Sequence, residues 1–248
     1  NQAMDDLTQV WRTAWGDFFQ QGGAQLSTSG FFRPVPTLMN GLTVAVFGKS
    51  PLAFHLGNLL LHLGTCLLGL ALLCRLGWST IGATAAMLLF TVHPMQAESL
   101  AYISCRPELC AGLAAVLSLW CYDRYRRDAW TPGLPWAMVA YLVALLSKEV
   151  AIGTIGVVAW LELTQYDDRR WSAPLTMGAA ILVYGVLRLV CLDTQATGRF
   201  ALTEQPFVAL NLLGVYLQQL CLPLSPRALY EHLSLTGFQL TTVWGLVL

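Results

Sequence analysis

The sequence predicts an all-α, polytopic helical membrane protein. Of the 248 residues, 56% are hydrophobic and 11% are charged, whereas a soluble domain carries about 25% charged residues. The charges are bunched and leave apolar runs of roughly 14–22 residues, close to the roughly 20 that one membrane crossing needs. Length and pattern together predict about 7–8 crossings plus an interfacial helix.

Composition argues against a nucleic-acid partner, a disulfide framework and a zinc site. Lys and Arg number 14 and Asp and Glu number 14, so the net charge is +0, which disfavours a nucleic-acid partner whose phosphates must be neutralised. The 7 cysteines are odd in number and include no Cys-x-x-Cys spacing. Neither a disulfide framework nor a zinc site is therefore indicated, and small polarizable core residues are the better interpretation.

Residues 1–51 are predicted to form an extracytoplasmic first loop that ends in the interfacial helix. Residues 1–32 are polar and aromatic. The segment Val35–Phe47 is apolar, but its roughly 13 residues are too few to span a bilayer. A helix lying on the membrane surface fits such a segment better.

Residues 52–248 are predicted to form a multi-helix transmembrane domain. Apolar runs lie at about Leu52–Cys74, Ile81–Val92, Leu109–Tyr122, Leu134–Leu146, Ala151–Leu163, Ala173–Cys191 and Phe207–Leu222, and a further crossing starts near Thr241. The chain opens without an initiator Met and stops inside the apolar run Val243–Leu248. We therefore expect it to be part of a longer protein, truncated at both ends.

Basic residues set the predicted orientation. They cluster in every second connection, at Arg75, at Arg124, Arg126 and Arg127, and at Arg169 and Arg170. The positive-inside rule places these connections in the cytoplasm, so the alternate connections face the periplasm of a bacterial inner membrane or the lumen of the endoplasmic reticulum. That second face collects the unusual charges: Asp5, Asp6, Arg33, His93, Glu98, Arg106, Lys148, Glu149 and those of residues 193–204.

Two connections on that face carry candidate site residues. From His93 to Glu108, an imidazole, two carboxylates and a guanidinium lie near membrane depth, where ionisable groups are costly and usually functional; a simple Glu98–Arg106 pair is the alternative. Ser147-Lys148-Glu149 interrupts a long apolar stretch and predicts a tight turn. An ammonium there would point into a cavity, where it can hold a phosphate as a point charge, or would simply be solvated.

Other polar residues have simpler interpretations. His55, Asn58 and His62 recur at helical spacing, yet a third metal ligand is missing, so interhelical hydrogen bonding is favoured. Arg188 either snorkels to the interface or reaches the same anionic cavity. From the residues alone, Asp5-Asp6 is interpreted as a helix start rather than as an acid pair for catalysis or metal binding.

Four blocks of sequence, taken in order, resemble one known family. They are Phe32-Arg33-Pro34-Val35-Pro36, Phe54-His55-Leu56-Gly57-Asn58-Leu59-Leu60-Leu61-His62, the block from His93-Pro94 through Glu98-Ser99 to Arg106-x-Glu108-Leu109, and Leu146-Ser147-Lys148-Glu149. Their order and spacing are similar to the membrane part of the transmembrane/tetratricopeptide-repeat O-mannosyltransferase-like family. These are GT-C glycosyltransferases, so the resemblance implies a GT-C-like membrane core.

The resemblance also implies a chemistry. The donor is a polyprenyl- or dolichyl-phosphate sugar, and the acceptor is a hydroxyl group, with protein O-glycosylation as the expected outcome. Charge on the leaving phosphate is neutralised by protein cations or by a divalent metal. The implied residues are Arg33, Arg106 and Lys148 for the phosphate, Asp5, Asp6 and Glu98 as catalytic carboxylates, and His93 and Glu149 as residues that shape the site.

Two alignments of the catalytic acid remain open. Family members carry an acidic pair in the first extracytoplasmic loop, followed closely by an Asn. Asp5-Asp6 lies at a suitable distance before Arg33. Alternatively, Asn1 corresponds to that Asn, and the acidic pair then precedes this chain.

Three functions are compatible with the sequence. An active glycosyltransferase would bind membrane lipids, the lipid-phosphate sugar and a protein or glycan acceptor. A catalytically inactive GT-C-like scaffold would instead hold other subunits of a membrane complex. A transporter is less favoured because no inverted repeat is visible.

Overall fold

The structure, a computed structural model, describes residues 32–191 together with residues 213–214, 216–217 and 219–220. Within these residues the chain is helical and contains no strand, in agreement with the predicted all-α class. The cysteines of this part are free thiols, namely Cys66, Cys74, Cys105, Cys110, Cys121 and Cys191.

The helices between residues 32 and 191 follow the predicted apolar runs. They are α1 (Pro34–Phe47), α2 (Pro51–Arg75), α3 (Thr80–Val92), α4 (Pro94–Ala101), a first 3-10 helix (Ile103–Cys105), α5 (Arg106–Arg127), α6 (Gly133–Ser147), a second 3-10 helix (Glu149–Gly153), α7 (Thr154–Thr164) and α8 (Ser172–Cys191). The ends shift by a few residues from the predicted ones. The predicted crossing Phe207–Leu222 lies mostly outside the described residues, and the one near Thr241 lies wholly outside them.

Three helical segments of the described chain are long and apolar enough to cross a membrane: Pro51–Arg75, Ile103–Arg127 and Ser172–Cys191. Pro34–Phe47, Thr80–Val92 and Gly133–Ser147 are apolar but shorter. The length and apolar composition of these helices agree with the predicted membrane protein. The total of about 7–8 crossings stays a prediction.

The chain divides into two compact units. The first contains residues 1–91 and 99–195, and the second contains residues 92–98 and 196–248. In the second unit, His93 Nδ1 accepts a hydrogen bond from the Met95 N–H at 3.3 Å. His93 Nε2 therefore carries the proton and donates to the Leu220 carbonyl oxygen at 3.1 Å.

The core of the first unit lies mainly between α5, α6 and α8. Its buried residues are mostly small or aromatic and include Ala111, Ala114, Ala137, Tyr141, Ala144, Met177, Ala180 and Tyr184. Small residues let helix backbones approach closely. Ser118 Oγ donates to the Ala137 carbonyl oxygen at 2.8 Å, which joins α5 directly to α6.

Helix α5 carries charged side chains at both of its ends. Pro107 lies in the first turn, where its fixed φ favours a helix and its missing N–H costs nothing. Glu108 in the first turn and the arginines of the last turn complement the helix dipole. The 22 residues of α5 span about 33 Å. The charges of its first turn and those of its last turn therefore lie about one hydrocarbon thickness apart.

Candidate functional site

Arg106, the first residue of α5, is buried to 1% exposure. Its Nε donates to Asn58 Oδ1 at 3.1 Å. Its Nη1 donates to Asn40 Oδ1 at 2.9 Å and to Thr43 Oγ1 at 3.0 Å, and its Nη2 donates to the Phe54 carbonyl oxygen at 3.0 Å. The guanidinium therefore joins α1 and α2 to α5.

All four acceptors around Arg106 are neutral, and within the described residues it forms no ion pair. Its guanidinium carbon also lies 4.8 Å from the centre of the Phe54 ring. Neutral acceptors satisfy the N–H groups but do not cancel the charge, and buried charges are usually paired. This end of the first unit therefore keeps a positive field that favours an anion.

Lys148 lies directly after α6, in extended backbone with φ −156° and ψ 134°. The α-helix is therefore interrupted at Lys148, and the second 3-10 helix follows directly; the tight turn between two crossings stays a prediction. The Lys148 ammonium pairs with Oε1 of Glu108 in the first turn of α5. The other oxygen, Glu108 Oε2, is buried and has no hydrogen-bond partner within the part of the chain that the structure describes.

Glu149, the next residue, pairs with Arg33 just before α1. Arg33 Nη2 lies 2.8 Å from Oε1 and Arg33 Nε lies 3.3 Å from Oε2, so both carboxylate oxygens are used. Burial by itself would raise the pKa of Glu149. The hydrogen bond and charge of Arg33, with a smaller contribution from the charge of Arg188, outweigh burial and hold the pKa below its usual value.

The structure brings several of the residues named from the sequence to one end of the first unit. Arg106 and Glu108 share the first turn of α5, Lys148 and Glu149 are neighbours, and Arg33 immediately precedes α1. We call Arg33, Arg106, Glu108, Lys148 and Glu149 the cation cluster. His93 and Glu98 belong to the second unit, and Asp5 and Asp6 lie outside the described residues.

A second group of charges at the other end of α5 was missed by the sequence analysis. The side chains of Arg126 and Glu162 are both fully buried, and Arg126 Nε lies 2.6 Å from Glu162 Oε1. Asp123, also fully buried, accepts from Arg75 at 2.7 Å and from Arg127 at 2.8 Å. The available signal was Glu162, a carboxylate inside the apolar run Ala151–Leu163, since such a group is costly unless it is paired.

Asn58 confirms the interpretation of interhelical hydrogen bonding, because it joins α2 to α5. His62 lies one turn further along α2, 3.6 Å from Cys66 Sγ, and its ring stacks on Phe90 with centres 5.7 Å apart. His55 is exposed. Within the described residues no group of three potential metal ligands occurs.

An apolar groove of 370 Å³ lies between α2 and α3. Leucines and a methionine line most of it, with Cys66 and Thr91 on its wall. The Cys66 Sγ and Thr91 Oγ1 atoms lie 3.2 Å apart and form a hydrogen bond with each other. The groove therefore presents a hydrocarbon surface of the size that ligand pockets have.

Comparison with known proteins identifies relatives of the chain. No family model matches it, and no solved structure matches it. Protein O-mannosyl-transferase Tmtc1 of Drosophila melanogaster is 31% identical over 138 residues, which is 56% of this chain and 16% of the relative. Human protein O-mannosyl-transferase TMTC1 is 27% identical over 174 residues, 64% of this chain and 19% of the relative.

Protein O-mannosyl-transferase Tmtc2 of Drosophila melanogaster matches a longer stretch. It is 28% identical over 204 residues, which is 77% of this chain and 21% of the relative. The chain thus spans about a fifth or less of the length of these curated relatives. They confirm the predicted resemblance to the transmembrane/tetratricopeptide-repeat O-mannosyltransferase-like family.

Proposed function

We infer that this chain, as a relative of the protein O-mannosyl-transferases, is part of a multi-pass membrane glycosyltransferase. It transfers mannose from a polyprenyl- or dolichyl-phosphate donor to a hydroxyl acceptor, foremost a protein Ser or Thr. The reaction takes place at the extracytoplasmic face, at the end of the helices that carries the cation cluster. The observation that carries the proposal is the buried guanidinium of Arg106, held by neutral acceptors only.

The cations have different tasks in this mechanism. The side chains of Arg33 and Lys148 keep 21% and 24% exposure, so they are accessible to the donor phosphate. Arg106 is enclosed, and its uncompensated charge acts on the phosphate through the low-dielectric interior. Together these charges stabilise the negative charge that develops on the leaving phosphate.

The transfer needs one proton acceptor. The acceptor hydroxyl attacks C1 of mannose, the bond from C1 to the phosphate oxygen breaks, and the phosphate leaves with the electron pair. The hydroxyl proton passes to a carboxylate, for which Asp5, Asp6 and Glu98 are the candidates from the sequence. Lys148 and Arg33 hold the phosphate, so it needs no strong general acid to leave.

The described carboxylates do not fit a divalent metal at this place. Glu108 and Glu149 are each paired with a cation, and no group of three potential ligands occurs within the described residues.

A scaffold subunit without activity is the second candidate. It is favoured by the fact that the described contacts already engage all three cations: Arg33 and Lys148 by carboxylates and Arg106 by four acceptors. A structural role would use these contacts to fasten α1, α2, α5 and α6 together. The two candidates differ in whether the protein binds and uses a lipid-phosphate sugar.

The test uses the protein reconstituted in lipid nanodiscs with radiolabelled polyprenyl-phosphate mannose and a peptide rich in Ser and Thr. We expect saturable donor binding and transfer of label to the peptide, and no transfer from a nucleotide-linked mannose. Absence of both donor binding and transfer overturns the proposal in favour of the scaffold. Transfer from the nucleotide-linked sugar contradicts the assigned donor class.

A further inference from the structure

We propose that Glu108 is the residue that positions Lys148 and recognises the sugar of the donor. Its Oε1 holds the Lys148 ammonium, and its Oε2 accepts a hydrogen bond from a sugar hydroxyl. This inference rests on the proposed function, because it assigns a further contact in the same donor site.

The two ion pairs of the cation cluster are similar in exposure but differ in how the carboxylate is used. The side chains of Arg33 and Glu149 are 21% and 35% exposed, and those of Lys148 and Glu108 are 24% and 35% exposed. Arg33 engages both oxygens of Glu149. Lys148 engages only Oε1 of Glu108.

The second oxygen of Glu108 is one of three buried side-chain atoms without a hydrogen-bond partner in the described residues, with Asn58 Nδ2 and Arg126 Nη1. The large majority of buried polar side-chain atoms have such a partner. A carboxylate oxygen can only accept hydrogen bonds. The missing partner must therefore be a donor, and a sugar hydroxyl is a donor of suitable size.

Lys148 places that hydroxyl close to a phosphate. An ammonium carries three N–H donors in one compact group, so Lys148 can keep its bond to Glu108 Oε1 while another N–H meets the donor phosphate. The sugar is attached directly to that phosphate. A hydroxyl of the sugar then lies next to the Glu108 carboxylate. The Lys148–Glu108 ion pair thus makes both contacts, Lys148 with the phosphate and Glu108 Oε2 with the sugar hydroxyl.

The experiment compares the binding of two ligands, polyprenyl phosphate and polyprenyl-phosphate mannose, to the protein in nanodiscs. In the Glu108→Gln variant the amide oxygen can still face Lys148, but an N–H₂ donor replaces Oε2. We expect this variant to lose about tenfold in affinity for the mannose-bearing lipid relative to the bare lipid phosphate, the size of one hydrogen bond to a charged group.

Glu149→Gln is the matched control. Both oxygens of Glu149 already have a partner, so this variant changes the affinity for the two ligands by the same factor. A double variant, Glu108→Gln with Lys148→Gln, leaves no unpaired charge and keeps the test valid if the single variant does not fold. It too loses the preference for the mannose-bearing lipid.

The outcomes separate this inference from the proposed function. If Glu108→Gln, or the double variant, shifts the two affinities by the same factor, Glu108 serves only as a structural ion-pair partner and the inference is overturned. If the unsubstituted protein binds neither ligand, the donor site itself fails and the proposed function is overturned with it.

Discussion

The Arg106 guanidinium lies directly against the backbone of Gly57, so that a Cβ at residue 57 would come within 2.8 Å of Arg106 Nη2. Gly57 is in the second turn of α2 and Arg106 begins α5. The glycine therefore makes room for the buried guanidinium, and the same Nη2 donates to the Phe54 carbonyl oxygen at 3.0 Å.

Gly57→Ala should destabilise the protein for this reason. A helix normally gains about 0.5–1 kcal/mol when Ala replaces an interior Gly. Here the methyl group displaces Nη2 from the Phe54 carbonyl, and a lost hydrogen bond to a charged group costs about 1.5–3 kcal/mol. The net result is a loss of about 1–2 kcal/mol in the free energy of unfolding, seen as a lower Tm in detergent.

Gly112→Ala is the matched control, because a Cβ at Gly112 meets no atom within 4 Å. It should leave the Tm unchanged or raise it, in line with the helix propensity of Ala. A Gly57→Ala protein as stable as the Gly112→Ala protein would contradict the close packing of Arg106 on α2.

The helices could be predicted from the sequence, because an apolar run between charges is a local property. The start of α5 was placed at Leu109, but the helix begins at Arg106. The guanidinium can be buried only because Asn58 and Asn40, which are 48 and 66 residues away in sequence, supply acceptors. Such partners are set by tertiary packing, so neither the four acceptors around Arg106 nor the buried pair of Glu162 follows from local pattern.

Acid should weaken the contact between Arg33 and Glu149. The pKa of Glu149 is lowered in the folded state from its usual 4.5, so the carboxylate stabilises the fold fully above that value. This contribution is lost as the pH falls through the lower folded pKa. We expect the Tm difference between the unsubstituted protein and Glu149→Gln to shrink between about pH 6 and about pH 3.

The measurement is a Tm series over that pH range for both proteins. Curves that stay parallel down to the acid end would mean that ionised Glu149 contributes nothing to stability. The pH dependence would then come from other carboxylates.

Glu162→Gln should destabilise the protein strongly. Glu162 is fully buried, pairs with the fully buried Arg126 at 2.6 Å and accepts from the Arg170 N–H at 2.9 Å. Removing its charge leaves Arg126 without its buried counter-ion, and breaking such a pair costs about 3–5 kcal/mol. Asp168→Asn, at a side chain that is 67% exposed, is the comparison and should change the Tm little. Similar losses in both variants would refute this difference.

The topology predicts opposite accessibility for two exposed positions. Val150 is 70% exposed beside the cation cluster, and Arg169 is exposed beside Asp168. Single cysteines placed at these positions, in a background without the native cysteines, should react with an impermeant maleimide from opposite sides of sealed vesicles. Labelling of both from the same side would reject the orientation.

The most direct test of the donor site compares the mannose-transfer rates of Lys148→Gln and Arg124→Met. Lys148 belongs to the cation cluster, whereas Arg124 lies in the last turn of α5, at the other end. Losing one group that stabilises the developing charge typically lowers turnover roughly 100- to 1000-fold. We predict that loss for Lys148→Gln, with rates normalised to folded protein because this variant leaves Glu108 without its cation, and a rate close to that of the unsubstituted protein for Arg124→Met. Equal rates in the two variants would contradict the assignment of the donor phosphate to this end of the helices.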